Sequence, residues 1–107
     1  MKPWLYLFIA IVLEVAGTTC MKLSDGFARI TPSVLVCVFY LGSMAMMILA
    51  VKTLEIGIVY AIWSGLGTAI ITGIGIVYFG ESFSLFKAGS VVLIILGVVG
   101  LQLSSSN

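Results

Sequence analysis

The charged residues of this chain are spaced so that four stretches of roughly twenty residues stay almost free of them, and a helix crossing hydrocarbon needs about that length of apolar sequence. The stretches run from about 4 to 21, 33 to 51, 56 to 79 and 88 to 103. Composition gives the same answer. Of 107 residues, 62% are hydrophobic and 8% charged, against roughly 25% charged in a soluble domain. So little polar surface cannot cover a water-soluble fold, whereas lipid solvates an apolar exterior. The expected architecture is an all-α membrane protein: one domain over 1–107 with four transmembrane helices, crossing its membrane several times.

Other classes fall away quickly. A net charge of +1, no histidine and no basic patch give nucleic acid no footing. Cys20 and Cys37 lie within apolar runs, without Cys-x-x-Cys spacing or a histidine, and read as buried thiols. No metal site and no cofactor are expected. With no nucleophile–base pair and no phosphate loop, the chain is not expected to be an enzyme. Met1-Lys2-Pro3 before an apolar run resembles a secretory signal, but Glu14 interrupts what would be a uniform h-region. It is read as a retained first helix.

Lys22-Leu23-Ser24-Asp25-Gly26 and the polar loop reaching to Pro32 separate the first two segments. Lys52-Thr53-Leu54-Glu55 is so short that the third segment is expected to return beside the second as its antiparallel neighbour. Gly80-Glu81-Ser82 opens the last loop, Lys87 closes it, and Ser104-Ser105-Ser106-Asn107 forms a polar tail. With four crossings, Lys2 and Lys52 share one face, while Lys22, Arg29 and Lys87 share the other. Orientation follows the Lys/Arg excess, so two against three specifies it weakly. Either something else fixes the orientation, or the chain inserts both ways and opposite copies pair. Four short helices have little room to enclose a pathway alone, which favours a dimer.

Glu14 is the only acidic residue deep within a segment. It lies about 15 Å along a helix from Trp4, near half the ~30 Å hydrocarbon thickness. A carboxylate there is costly unless it meets a cavity or partner, so such residues mark ion or proton pathways. Protonated, it is neutral; deprotonated, it demands a cation or a returning proton. One group that cannot hold both is an exchanger. The competing reading is a carboxyl that bonds helices together in a non-transporting pore or assembly subunit. Ala10, Gly17 and Thr18 share its helical face: small neighbours that leave room for a ligand, or simply small packing residues, with Thr18 able to donate a hydrogen bond.

Aromatic faces attract organic cations, quaternary ammonium groups above all. Tyr60 and Trp63 stand at i and i+3 in the third segment and Tyr40 within the second; interfacial anchoring also accounts for the first two, as it does for Trp4 and Tyr6. Gly65, Gly67, Gly73 and Gly75 permit a kink or close packing in the third helix. In the fourth, Ser90 and Gly97 share a face suited to a helix contact.

Glu14 with Gly17-Thr18, Met21-Lys22, Gly26-Phe27, Pro32-Ser33 and above all Tyr60-Ala61-Ile62-Trp63-Ser64-Gly65 resembles the small multidrug resistance family over essentially the whole chain. The resemblance implies an antiparallel, dual-topology homodimer that exports quaternary ammonium and other hydrophobic cations in exchange for protons, Glu14 of each subunit binding both. It implies a pocket lined by Tyr40, Tyr60, Trp63, Trp4, Ala10, Gly17, Thr18, Ser43 and Ser64, bending at Gly65 and Gly67, and dimer contacts through Ser90, Leu93, Ile94 and Gly97. Its guanidinium-exporting branch typically carries tryptophan at position 17, so Gly17 favours the multidrug branch. Trp4 stands where the best-known multidrug member has tyrosine, Glu55 replaces a common proline, and Ser90 replaces a glycine of the dimerising face. Choline, betaine or guanidinium therefore stay open as alternative substrates.

Overall fold

The computed structural model describes residues 2–105 and contains four helices: α1 (Lys2–Leu23), α2 (Ile30–Ala50), α3 (Ile56–Val77) and α4 (Leu85–Ser105). Ser106 and Asn107 of the polar tail, and Met1, lie outside the described residues. Each helix is long and apolar enough to cross a membrane. The chain divides between Glu55 and Ile56 into two compact units, each a pair of antiparallel helices.

Every helix except α3 reaches further than its apolar run, for identifiable reasons. Pro3 and Pro32 sit in the first turns of α1 and α2, where a missing N–H costs nothing; Pro32 is a helix residue, not the end of a loop. α4 starts three residues before the apolar run because Ser84 caps it, its hydroxyl accepting the Lys87 N–H at 3.0 Å, which satisfies one of the orphan donors of the first turn. α3 ends at Val77, two residues short of the expected Phe79. Gly80, with φ +69°, turns the chain back so that the Glu81 N–H donates to the Gly75 carbonyl at 3.0 Å. A side chain at Gly75 would run into the Glu81 carboxylate.

In the first unit, residues ascending α1 meet residues descending α2. Leu7, Ala10, Ile11 and Val15 are buried along one seam with Val36, Ser43 and Ala50. Leu13 Cδ1 comes within 3.2 Å of where a side chain on Gly42 would begin. The connecting loop carries three consecutive left-handed residues, Asp25, Gly26 and Phe27. It is held by buried Ser24, whose hydroxyl donates to the Met21 carbonyl (2.8 Å) and accepts the Phe27 N–H (3.3 Å). In the second unit α3 comes close to α4 at Gly65, where a Cβ would lie 2.8 Å from Val98 Cγ2 and 3.3 Å from Ile94 Cγ2. The expected burial of both thiols is corrected: Cys20 is half-buried and Cys37 exposed. In a membrane span an apolar thiol needs no protein around it, because lipid serves equally.

Candidate functional site

Glu14 stands twelve residues after the start of α1 and nine before its end, roughly 18 and 14 Å from them at ~1.5 Å per residue. Its carboxylate, half-buried, is met one turn later by Thr18, whose hydroxyl donates to Oε2 at 2.8 Å. Thr18 Oγ1 also lies 2.6 Å from the Tyr40 hydroxyl of α2. A threonine has one hydroxyl hydrogen. With that hydrogen on Glu14, Tyr40 must be the donor of the second bond, so the chain runs in order from Tyr40 through Thr18 to Glu14. This arrangement suits an ionised carboxylate. A proton on Oε2 would turn the order round, and the three hydroxyl and carboxyl groups respond as one unit.

Gly17 is what lets Tyr40 lie there. A Cβ at this position would sit 3.0 Å from both Cδ1 and Cε1 of the Tyr40 ring and 3.3 Å from Phe39 Cβ. The space that a side chain at position 17 would need is taken by the tyrosine ring. Ala10 is fully buried, and its carbonyl accepts the hydroxyl of buried Ser43 at 2.7 Å, so these two tie the helices together one turn from the acid. Trp4, ten residues before Glu14 on the same helix, is about 15 Å away along the axis and is not brought to the carboxylate within its unit.

In the second unit Tyr60 and Trp63 stack, with centroids 5.8 Å apart and planes at 28°. Tyr60 is 61% exposed. The indole N–H of Trp63 is buried without a hydrogen-bond partner among the described residues. Ser64 donates to the Tyr60 carbonyl at 2.8 Å, which turns its hydroxyl back into its own helix. α3 runs unbroken through Gly65 and Gly67, and Gly65 serves close packing on α4. Of the expected dimer contacts, Ser90, Leu93 and Gly97 are exposed, whereas Ile94 faces Gly65. No group of three or more His, Cys, Asp or Glu suited to a metal ion occurs among the described residues.

Sequence reasoning identified the Thr18–Glu14 bond because i and i+4 share a face. It missed Tyr40 as the partner of Thr18 and Phe39 as the neighbour of Gly17, since both depend on the register of α2 against α1, which no local signal encodes.

Comparison with known proteins identifies the family of the chain. The sequence model of the family described as Small Multidrug Resistance protein matches residues 2–96. The membrane protein YvaE of Bacillus subtilis (strain 168) is 46% identical over 100 residues, covering 94% of this chain and 84% of its own. The guanidinium exporter of Escherichia coli (strain K12) is 41% identical over 102 residues, covering 95% and 97%. The quaternary ammonium compound-resistance protein QacE of Escherichia coli is 41% identical over 105 residues, covering 98% and 96%. With four membrane-spanning helices and a family match over most of its length, the chain belongs to the small multidrug resistance family and is a multi-pass membrane transporter.

Proposed function

We propose that this protein is a proton-coupled antiporter that exports quaternary ammonium and other hydrophobic organic cations across the bacterial inner membrane. The observation that carries the reading is the mid-span carboxylate of Glu14, joined through Thr18 to Tyr40. An acid at that depth must be neutralised, and either a proton or a cation can do it. Displacement of one by the other couples their flows. The Tyr60–Trp63 stack offers π faces, which hold a cation that has no hydrogen-bond donors.

Two copies inserted in opposite orientations form the working unit, each contributing one Glu14. The near balance of Lys2 and Lys52 against Lys22, Arg29 and Lys87 supports this.

A guanidinium exporter and a quaternary ammonium resistance protein are equally similar to the chain, at 41% each. The Tyr40 ring against Gly17 favours the second. A tryptophan at position 17, typical of the guanidinium branch, cannot coexist with this tyrosine position.

Purified protein in liposomes with an imposed pH gradient should accumulate a quaternary ammonium compound, and Glu14→Gln should reduce uptake to the level of empty liposomes. Gradient-driven uptake by Glu14→Gln would overturn the proposal. Guanidinium transport at equal or greater efficiency would move the protein to the other branch. C-terminal tags should be reached from both sides of the membrane; a single orientation in the active protein would end the antiparallel pairing.

A further inference from the structure

The second unit carries a cleft of about 220 Å³ that the transport reading does not use. Ala69, Gly73 and Ile76 of α3 form one wall, and Ala88 and Val91 of α4 form the other. Lys87 stands at its end as the only ionisable group of the lining. Gly73 is exposed and opens onto the cleft, and a Cβ there would meet nothing within 4 Å. From Ala69 to Ile76 it follows α3 for roughly 10 Å at ~1.5 Å per residue.

Its charged end lies at the α3–α4 turn. Tyr78, Phe83 and Phe86 are 67%, 63% and 87% exposed there, and an exposed tyrosine at a helix end marks the level where hydrocarbon meets headgroups. Lys87 is half-buried, and its ammonium donates to the Ser82 carbonyl at 2.5 Å. An ammonium has three hydrogens, so two remain to be satisfied among the described residues. The nearby acid, Glu81, lies over Gly75, about 200° round α3 from Gly73 at ~100° per residue.

We propose that this cleft binds one anionic phospholipid, with an acyl chain along the Ala69–Gly73–Ile76 wall and the headgroup phosphate on Lys87. The shape and charge match that amphiphile. The indentation suits a single hydrocarbon chain and is too small for a helix, which measures about 10 Å across with its side chains. Basic pockets between transmembrane helices are recognised sites for anionic headgroups.

The test is native mass spectrometry of the full-length protein in detergent with equal amounts of phosphatidylglycerol and phosphatidylcholine of matched chains. The wild type should retain phosphatidylglycerol preferentially, and Lys87→Gln should lower that preference roughly fivefold, as loss of one lysine–headgroup attraction predicts. Lys52→Gln, in the exposed α2–α3 connection, should leave it unchanged. Gly73→Leu, which fills the cleft, should reduce retention of both lipids. The proposal is overturned if the wild type does not discriminate, if Lys87→Gln loses no more than Lys52→Gln, or if Gly73→Leu leaves both adducts intact. It is equally overturned if Gly73→Leu breaks a dimer without changing lipid retention, since a second copy would then be the occupant.

Discussion

The two helix pairs hold together by different chemistry, although both must do so where lipid removes the hydrophobic drive for helix association. Along α1 and α2, side-chain hydrogen bonds cross the seam: Tyr40 to Thr18 and Ser43 to the Ala10 carbonyl. Between α3 and α4 a glycine packs against Val98 and Ile94. The hydroxyls of Ser64, Thr68 and Ser90 each return to a carbonyl of their own helix. Directional bonds fix register and rotation, and the helix they fix is the one that carries the acid. A glycine contact depends on closeness and tolerates sliding or bending. The first pair aims a carboxylate, and the second packs apolar helices closely.

The sharpest way to break this comparison is to remove one acid from each pair. Glu14→Gln should cost essentially all gradient-driven uptake in liposomes, whereas Glu81→Gln, in the α3–α4 loop, should leave uptake within about twofold, as for a group outside the coupling machinery. Equal losses would show that the second pair also carries coupling chemistry. Next in size is Gly65→Ala. A methyl placed 2.8 Å from Val98 Cγ2 overpacks the α3–α4 contact and should destabilise the protein by about 1–3 kcal/mol in detergent unfolding. Adding Val98→Ala should recover most of that. Failure of the second change to compensate would mean that Gly65 serves bending rather than closeness.

A smaller effect is expected from Gly17→Ala. Its methyl would press on Cδ1 and Cε1 of Tyr40, and relief requires the ring to move away from Thr18. The result should be a loss of about 1 kcal/mol, near the net worth of one hydrogen bond. It should appear as slower transport that Thr18→Val reproduces and that is not additive with it, because both changes break one chain. Additive losses would separate Gly17 from the Tyr40–Thr18–Glu14 unit.

The four helices were legible because charge spacing and span length are one-dimensional properties. Glu14 was legible because an acid in an apolar run stands out against its surroundings. Helix ends were less so: the start of α4 depends on Ser84, a cap hidden within a polar stretch, and the end of α3 on the left-handed Gly80. Least legible was what faces what. Gly17 and Gly65 read alike as small residues in apolar helices, yet one holds an aromatic ring and the other a helix. That difference lies in the pairing register, to which residues distant in sequence contribute equally.

The smallest predicted effect tests the comparison where the two pairs look most similar, at their serines. Ser43 is buried and its hydroxyl crosses to α1, whereas exposed Ser90 bonds the Phe86 carbonyl of its own helix at 2.9 Å. Interhelical hydrogen bonds in membranes contribute about 0.6 kcal/mol on average. Ser43→Ala should lower stability by about that much, and by no more, because the Ala10 carbonyl keeps its donor within α1. Ser90→Ala trades a local bond for better helix propensity and should change stability by less than about 0.3 kcal/mol, within the scatter of surface substitutions. Unfolding of both variants in mixed micelles measures the pair side by side. Should Ser90→Ala prove the more damaging, the exposed face of α4 would be carrying a contact with another chain, and the looser pair would owe its stability to assembly.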